Sequence, residues 1–185
     1  MTTLTVNPQT GLLEPLCYQP SPYCDERPQG VSIDMIVIHA ISLPPGEFGS
    51  TAIEEFFCGK LDITSHLAYT AIAQLHVSAH LLIKRTGDII QFVPFTRRAW
   101  HAGESFFCGK NHCNDFSVGI ELEGVDDISY ELIQYKRLIY VIHLLKQIYP
   151  AITHDRIVGH ADVAPGRKTD PGPAFDWTLL NGMLT

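Results

Sequence analysis

The chain has 185 residues, of which 45% are hydrophobic and 18% are charged, so its composition excludes an intrinsically disordered protein and fits one globular domain. Its formal net charge of -7 disfavours nucleic acid and anionic membranes as partners, because both select for clustered Lys and Arg. No stretch reaches the roughly 18 apolar residues of a membrane span, and the first residues lack the basic start and apolar run of a signal peptide. We therefore expect a cytoplasmic monomer that binds neither nucleic acid nor a membrane.

The five cysteines include no C-x-x-C pair, and their odd number argues against both a complete disulfide framework and a thiolate zinc site. We expect free thiols, as in a reducing cytosol. A single bridge, Cys17–Cys24 or Cys108–Cys113, would also be sterically feasible.

Residues 1–30 are rich in Pro, Gln, Ser and Gly, which predicts an extended N-terminal arm packed on a domain formed by residues 31–185. The domain opens with Ile33–His39, a short apolar run rich in β-branched residues. This pattern predicts a buried strand that ends at a histidine. A loop containing Pro and Gly follows the strand.

Two further elements are predicted after this loop. Ser50 or Thr51 can cap a short helix that ends at Phe57. The apolar-rich segments His80–Lys84 and Asp88–Val93 flank a turn with the sequence RTGD, which predicts an antiparallel hairpin.

The segment Ser117–Glu123 alternates between apolar residues and small or acidic ones, which is typical of a strand. The alternation places Glu121 and Glu123 on the same face. A carboxylate there can transfer protons in a reaction, or it can simply be a solvated strand residue. The pattern alone does not separate the two glutamates.

The strongest helical periodicity extends from about Tyr130 to Tyr149, and Pro150 marks its end. We expect this helix to pack on the core. The segment from Ile157 onward contains many Pro and Gly residues, which exclude a long regular element.

Nine histidines are present, and each is most simply explained as a surface residue or a hydrogen-bonded core residue. Three residues differ in their setting: His39 ends a buried strand, while His160 and Asp170 lie ten residues apart in a Pro/Gly-rich segment. Two imidazoles and one carboxylate would give zinc three protein ligands and leave one position for water, as in hydrolytic sites. The spacing alone is a weak indication, and the absence of H-E-x-x-H disfavours a helix-borne metalloprotease site.

The sequence RRAWHAG carries further candidates for ligand binding. Trp100 and His101 offer a stacking surface and hydrogen bonds for a sugar or a peptide, although a single Trp is more often part of a core. Arg97 and Arg98 can pair with carboxylates of a ligand, but an ordinary exposed arginine pair explains them equally well.

A family resemblance lies in four stretches: VIHAISLPPGEFG, VSAHLLIKRTGDIIQFVPFTRRAWHAG, CNDFSVGIELEG and GHADVAPGRKTDPGPAFDW. They strongly resemble the AmpD-type N-acetylmuramoyl-L-alanine amidases of Gram-negative bacteria, in the same order and over roughly residues 15–178. These enzymes are the cytosolic branch of a group that also includes phage lysozyme-like amidases and peptidoglycan recognition proteins.

The resemblance implies a mixed α/β fold, a single domain like that of peptidoglycan recognition proteins, with a central mixed β-sheet flanked by helices. It implies one Zn²⁺ per chain, held at one end of the sheet by His39, His160 and Asp170. It further implies that Glu121 accepts a proton from the zinc-bound water and that Lys168 stabilises the oxyanion. The expected reaction is hydrolysis of the amide bond between N-acetylmuramic acid and L-alanine in soluble anhydro-muropeptides, during peptidoglycan recycling in the cytoplasm.

The chain departs from the family pattern at three positions expected near the substrate. Ala40 stands where relatives often have Asn, and His76 and His112 stand where relatives have Arg. The departures bear on the choice of peptide and leave the zinc chemistry intact. The expected substrate contacts are Ala40, His76, Arg98, Trp100, His101 and His112.

Two other functions are compatible with the same fold. One is a peptidoglycan-binding module that does not cut, which the apparently complete set of ligands and catalytic residues disfavours. The other is a secreted autolysin or phage-type endolysin acting on intact wall, which the absence of an export signal and the negative charge disfavour.

Overall fold

The computed structural model describes residues 3–184. Twelve strands lie within them: β1 (Thr5–Val6), β2 (Leu13–Glu14), β3 (Cys17–Tyr18), β4 (Cys24–Glu26), β5 (Met35–Ile41), β6 (Leu81–Ile83), β7 (Ile89–Gln91), β8 (Arg97–Ala99), β9 (Phe106–Phe107), β10 (Lys110–Asn111), β11 (Ser117–Glu123) and β12 (Ile157–Gly159). The α-helices are α1 (Ala52–Phe57), α2 (Leu132–Ile148), α3 (His160–Val163) and α4 (Trp177–Leu184), with 3₁₀ helices at Leu67–Ile72, Cys113–Asp115 and His154–Arg156. Over the same residues, no helix combines the length and apolarity needed to cross a bilayer.

A six-stranded sheet forms the centre of the fold, in the order β12-β5-β11-β6-β7-β3. Strands β12, β5, β11 and β6 are parallel, whereas β7 is antiparallel to β6. The sheet is therefore mixed, which confirms the predicted α/β architecture. The pairing of β6 with β7 confirms the hairpin predicted around the RTGD turn.

The central pair, β5 and β11, is in parallel register over seven residues. Within it, His39 is aligned with Glu121. Aligned residues of neighbouring strands share a face, because side chains alternate between the two faces of a sheet. The first predicted zinc ligand and the predicted proton acceptor therefore project from the same face, next to each other.

The two faces of the sheet are covered by different elements. Helix α2 packs on one face, where its Leu138 and Ile142 join Ile38 of β5 and Ile120 of β11 in the largest core cluster. Helix α1 packs on the opposite face, against Leu82 of β6. Since Leu82 is aligned with the predicted proton acceptor on β11, that second face is also the one that carries the site.

Helix α2 confirms the strongest helical prediction. It begins at Leu132, two residues after the predicted start at Tyr130. The Gln134 side chain accepts a hydrogen bond of 2.9 Å from the backbone N–H of Glu131, which fixes the start of the helix as in a capping box. Helix α1 likewise follows the predicted cap at Thr51.

The C-terminal segment contains only short elements, as its Pro and Gly content predicts, but these include strand β12 and helix α3. Strand β12 pairs with β5, so that Gly159 is aligned with Ile38. Three apolar or small residues carry no recognisable period, which is why the sequence does not reveal this edge strand.

The N-terminal segment is more deeply integrated than an arm packed on a surface. Strand β3 extends the main sheet beside β7, and β4 pairs with β8. Leu4 and Leu13 are part of the main core cluster. Arg27, although charged, lies among backbone carbonyls and donates to those of Phe95, Asn114, Asp115 and Ser117. Residues 3–30 thus contribute to the packing of the domain.

The buried side chain of Gln134 provides a test of this packing. Its amide donates to the carbonyls of Ile83 and Glu123, at 3.2 and 3.1 Å, and so ties α2 to the ends of two strands. We expect Gln134→Ala to lower the free energy of unfolding by about 2–3 kcal/mol, because both buried carbonyls lose a donor. Gln147→Ala, at an exposed position of the same helix, is the control and should stay within about 0.5 kcal/mol of the parent. If denaturant unfolding shows the same loss of free energy for Gln134→Ala and Gln147→Ala, the hydrogen bonds of Gln134 do not stabilise the fold.

Candidate metal centre

Two adjacent strands bring the predicted histidine ligands together. His39 lies near the carboxyl end of β5, and His160 directly follows β12, the strand that pairs with β5 on its other side. The backbone turns into α3 at His160, so its imidazole stays at the end of the sheet. Both side chains are buried, with exposed fractions of 1% and 3%.

Asp170 reaches the same place through the loop that follows α3. Its backbone carbonyl accepts a hydrogen bond of 2.9 Å from the N–H of Ala161, which fastens the loop to the start of α3. Gly159 allows this approach, because a Cβ there would lie 2.8 Å from Cδ of Pro171. The Asp170 side chain is thereby held beside both imidazoles.

Three potential ligand atoms converge, one from each of His39, His160 and Asp170. The two Nδ1 atoms are 2.9 Å apart, and Oδ2 of Asp170 lies 3.2 Å from His39 Nδ1 and 3.1 Å from His160 Nδ1. Ligand atoms around tetrahedral zinc are separated by roughly 3.3 Å, given zinc–nitrogen bonds of about 2.0–2.1 Å. The donor set and its spacing therefore fit a zinc ion with one coordination position left open.

The charge states at this cluster suit metal binding. Burial lowers the pKa of His39 to about 4, which keeps its imidazole neutral. Burial alone would raise the pKa of Asp170, but the adjacent imidazoles of His160 and His39 outweigh it and hold that pKa below its usual range. A neutral imidazole and an ionised carboxylate are the forms that coordinate zinc.

Glu121 lies on β11 next to His39 and is 8% exposed. Its Oε2 atom has no hydrogen-bond partner among residues 3–184. Burial, and secondarily the negative charge of Asp170, raise its pKa well above the usual value for a glutamic acid. A buried carboxyl group with a raised pKa beside a cluster of potential metal ligands is a candidate for proton transfer.

Glu123, which the strand pattern alone leaves equivalent to Glu121, occupies a different environment. Its Oε1 accepts from the backbone N–H of Gly49 at 2.5 Å, and its Oε2 accepts from the backbone N–H of Arg85 at 2.9 Å. Both oxygens are used to hold two loops. Glu123 thus has a structural role, whereas Glu121 remains available to a ligand.

Lys168 is exposed, on the loop that carries Asp170. Its positive charge opposes the rise that burial produces in the pKa of Glu121, and it also acts to lower the pKa of His39. The ammonium group is therefore within electrostatic range of the cluster, on its solvent side.

The predicted substrate contacts are spread over several environments. Trp100 is half-buried and stacks on Tyr23, with ring centroids 6.4 Å apart, and the exposed His76 packs on the same tyrosine at 5.0 Å. His112 is exposed and has a left-handed backbone, with a φ of 59°. Ala40 packs against the main core cluster, on the face of the sheet opposite to the metal-ligand cluster.

Two predicted contacts are engaged within the protein. The guanidinium of Arg98 pairs with Asp25 and Asp115, at 2.6 and 2.5 Å. His101 is buried behind His39, and its Nδ1 lies 2.9 Å from His39 Nε2. His101 therefore contacts a predicted ligand through its Nδ1. Sequence reasoning did not single out Ser117, which contacts His101; its only signal was a polar position on the face that carries Glu121.

Comparisons with known proteins point to one family. The model of the family described as N-acetylmuramoyl-L-alanine amidase matches residues 29–173. The chain is 50% identical over 177 residues to the 1,6-anhydro-N-acetylmuramyl-L-alanine amidase AmpD of Enterobacter cloacae, covering 96% of this chain and 94% of that protein. It is 52% identical over 166 residues to the AmpD of Escherichia coli strain K12, covering 90% of each.

Solved structures give the same result. The crystal structure of a selenomethionine derivative of AmpD superposes with a TM-score of 0.92 at 48% identity, covering 95% of this chain and 98% of that chain. The amidase AmiD of E. coli, solved with the substrate anhydro-N-acetylmuramic acid-L-Ala-D-γ-Glu-L-Lys, superposes with a TM-score of 0.59 at 30% identity. That match covers 85% of this chain and 60% of AmiD.

Removal of single ligands tests the metal centre directly. We expect His39→Ala, His160→Ala and Asp170→Ala each to abolish stoichiometric zinc binding, because two remaining protein ligands hold the ion poorly. His143→Ala, at an exposed position on α2, is the control and should bind zinc as the parent does. Metal content after dialysis and calorimetric titration with Zn²⁺ give the result.

Chelation of the parent protein should also lower its melting temperature. An ion that binds only the folded state stabilises it by about 2.7 kcal/mol at a concentration one hundred times Kd, which corresponds to roughly 5–10 °C for a chain of this length. The midpoint of the alanine variants at the three ligands should not respond to chelator. A full chelator response in any of them would contradict the assignment.

Proposed function

Because the chain belongs to the N-acetylmuramoyl-L-alanine amidase family, we propose that it hydrolyses the amide bond between N-acetylmuramic acid and L-alanine in soluble 1,6-anhydro-muropeptides, a step of peptidoglycan recycling. One observation carries the proposal. The buried cluster of His39, His160 and Asp170 lies next to Glu121, a carboxyl group with an oxygen that lacks a partner among residues 3–184. Such a pairing of ligand cluster and proton acceptor is the arrangement that amide hydrolysis needs.

The zinc ligands in this proposal are His39, His160 and Asp170. When bound there, zinc supplies Lewis-acid chemistry, in which it polarises the amide carbonyl and lowers the pKa of the attacking water. Glu121 is aligned with His39 on the neighbouring strand, so its carboxyl group would lie on the same face of the sheet as the ion these residues would hold.

Glu121 acts as the proton acceptor and then as the proton donor. Its carboxylate takes a proton from the attacking water and delivers one to the nitrogen of the leaving L-alanine. Two properties support this role: its Oε2 is not engaged by the protein among the described residues, and its raised pKa favours return of the proton to the leaving group.

Lys168 stabilises the negative charge that develops on the carbonyl oxygen. Its ammonium group is exposed, yet its field reaches both Glu121 and His39, so it can approach a substrate held between them. A fixed positive charge near the developing oxyanion lowers the barrier more than it strengthens ground-state binding. Trp100, half-buried and stacked on Tyr23, is the aromatic surface we propose for the sugar.

The setting we propose is the cytoplasm, with the enzyme acting as a monomer. All five cysteines are free thiols, and Cys17 and Cys108 are exposed, which suits a reducing compartment. The three proposed ligands converge within a single chain, so the cluster forms without a second copy.

The contrast between the two strand glutamates tests the proton acceptor. We expect Glu121→Gln to retain zinc and stability while kcat falls by about 10²- to 10⁴-fold, because the amide cannot accept the proton. Glu123→Gln should instead lower the melting temperature, since two backbone N–H groups lose a charged acceptor, and the folded fraction should keep most of its activity. The measurements are kcat on a soluble muropeptide, zinc content and thermal unfolding. An active Glu121→Gln with an inactive, folded Glu123→Gln would reverse the assignment.

A second test concerns the sugar. The anhydro bridge makes the sugar compact and bicyclic, so a fitted pocket near Trp100 should favour it over the ordinary reducing sugar. We expect kcat/KM to be roughly 10- to 100-fold higher for the anhydro form, the range that one structural difference in a pocket can provide. Release of the peptide is measured on two muropeptides that differ only in the bridge, with intact sacculi assayed in parallel. Equal values on the two soluble substrates would refute the selectivity, and rapid digestion of sacculi would favour an autolysin.

A further inference from the structure

His101 connects the metal-ligand cluster to the strand behind it. Its Nδ1 lies 2.9 Å from Nε2 of His39, and its Nε2 lies 3.1 Å from Oγ of Ser117. The Ser117 hydroxyl in turn donates to the backbone carbonyl of Cys113, at 2.6 Å. A continuous chain of hydrogen bonds thus leads from a backbone carbonyl to the imidazole of His39.

The direction of each hydrogen bond in this chain follows from its fixed end. A carbonyl oxygen only accepts, so the single hydroxyl hydrogen of Ser117 points to Cys113, and Oγ is left to accept from His101 Nε2. A neutral imidazole has one N–H, which places the lone pair of His101 at Nδ1. That lone pair accepts from Nε2–H of His39. The Nδ1 of His39 then carries no hydrogen and faces His160 and Asp170.

The neutral form of His101 agrees with its surroundings. It is buried, and its two ring nitrogens contact Nε2 of His39 and Oγ of Ser117. No carboxylate among residues 3–184 hydrogen-bonds to its ring.

Strand β11 is shaped to hold this ring. A Cβ added at Gly119 would lie 2.4 Å from Cγ of His101, so the imidazole rests directly on the bare backbone of the strand. Ser117, Gly119 and Glu121 occupy successive positions on one face. The strand that presents the proposed proton acceptor therefore also provides the seat and the hydrogen-bond acceptor for His101.

The backbone next to His101 acts on the second imidazole in the same way. The carbonyl of Ala102 lies 3.2 Å from Nε2 of His160, so it fixes the hydrogen there and leaves Nδ1 for the metal. The side chain of Asn114 accepts from the backbone N–H groups of His101 and Ala102, at 3.2 and 2.8 Å, and holds this segment in place.

We propose that His101 and Ser117 are positioning residues that fix His39 in the tautomer with an unprotonated Nδ1, the form that binds zinc. The inference rests on the proposed metal site. Both residues lie outside the proposed set of ligands and act through His39. A ligand imidazole whose second nitrogen has its partner removed typically loses 10- to 100-fold in metal affinity.

Two buried serines provide a matched comparison. Both bond to the backbone of Cys113: Ser117 donates to its carbonyl, and Ser105 accepts from its N–H at 3.0 Å. Of the two, Ser117 contacts His101. Ser117→Ala and Ser105→Ala thus each remove a hydroxyl group that bonds the backbone of Cys113. Ser117→Ala also interrupts the chain of hydrogen bonds to His39.

The experiment measures the tautomer of His39 in the metal-free protein, by ¹⁵N–¹H correlation spectra of protein labelled at histidine, and zinc affinity by competition with a chromophoric chelator. We expect the parent and Ser105→Ala to have hydrogen on Nε2 of His39 and equal affinities. In Ser117→Ala the His39 signals should shift toward the other tautomer, and zinc affinity should fall by about 10- to 100-fold. His101→Phe, which removes the acceptor itself, should lower the affinity at least as much.

Hydrogen on Nδ1 of His39 in the parent protein would overturn the proposal. So would a Ser117→Ala variant that keeps both the parental tautomer and the parental zinc affinity. Because the tautomer is measured without metal or substrate, a parent protein that lacks amidase activity would defeat the proposed function and leave this inference to be decided by the spectra.

Discussion

The parallel register between β5 and β11 is the constraint on which the candidate site depends. Seven aligned residue pairs set His39 opposite Glu121. A shift of one residue would turn one of these side chains to the α2 face, where Ile38 and Ile120 now pack, and would bury a charged or polar group among aliphatic residues. The hydrophobic pattern of both strands therefore specifies the register, and the register specifies the distance between ligand and proton acceptor. Packing on one face of the sheet in this way fixes the chemistry on the other.

The polar face has a cost in stability that the rest of the fold offsets. His39, His101, His160 and Glu121 are all buried, and burial opposes ionisation of each of the titratable groups for which a shift is evident. Hydrogen bonds satisfy most of these groups, but Oε2 of Glu121 has no partner among residues 3–184. The aliphatic cluster under α2 and the aromatic cluster near α1 bury apolar surface, and this burial stabilises the fold enough to offset the buried polar groups. Proteins commonly retain such unsatisfied groups where a ligand completes them.

Elements with a clear hydrophobic period are predictable from the sequence. Elements whose position depends on tertiary contacts are not. The strand ending near His39, the alternation of Ser117–Glu123 and helix α2 are visible because seven or more residues repeat one pattern. The hairpin strands β6 and β7 have only three residues each, but the turn RTGD between them marks the hairpin. Strand β12 has three residues and is defined only by its pairing with β5. The site shows the same division. The sequence setting of His39, His160 and Asp170 indicates a metal site only weakly, and the family resemblance supplies the assignment. The contact of His101 with Ser117 depends on the close approach of His101 to Gly119 of β11, which no local sequence pattern encodes.

The existing hydrogen bonds of each side chain show which residues of the site are available to a ligand, and residue type alone does not. Glu123 has both carboxylate oxygens occupied by backbone donors, Arg98 is paired with two aspartates, and both ring nitrogens of His101 are in use. These polar side chains are engaged within the protein and retain few hydrogen-bonding atoms for a ligand. Four atoms are not used to hold the surrounding fold: Nδ1 of His39, Nδ1 of His160 and Oδ2 of Asp170, whose hydrogen-bonding contacts are with one another, and Oε2 of Glu121, which has no partner among residues 3–184. Three of them converge within contact distance of one another, and the fourth belongs to the residue aligned with His39 on the neighbouring strand. The remaining capacity thus defines one place where a cation and a reacting group can be held together, and it does so independently of any relative.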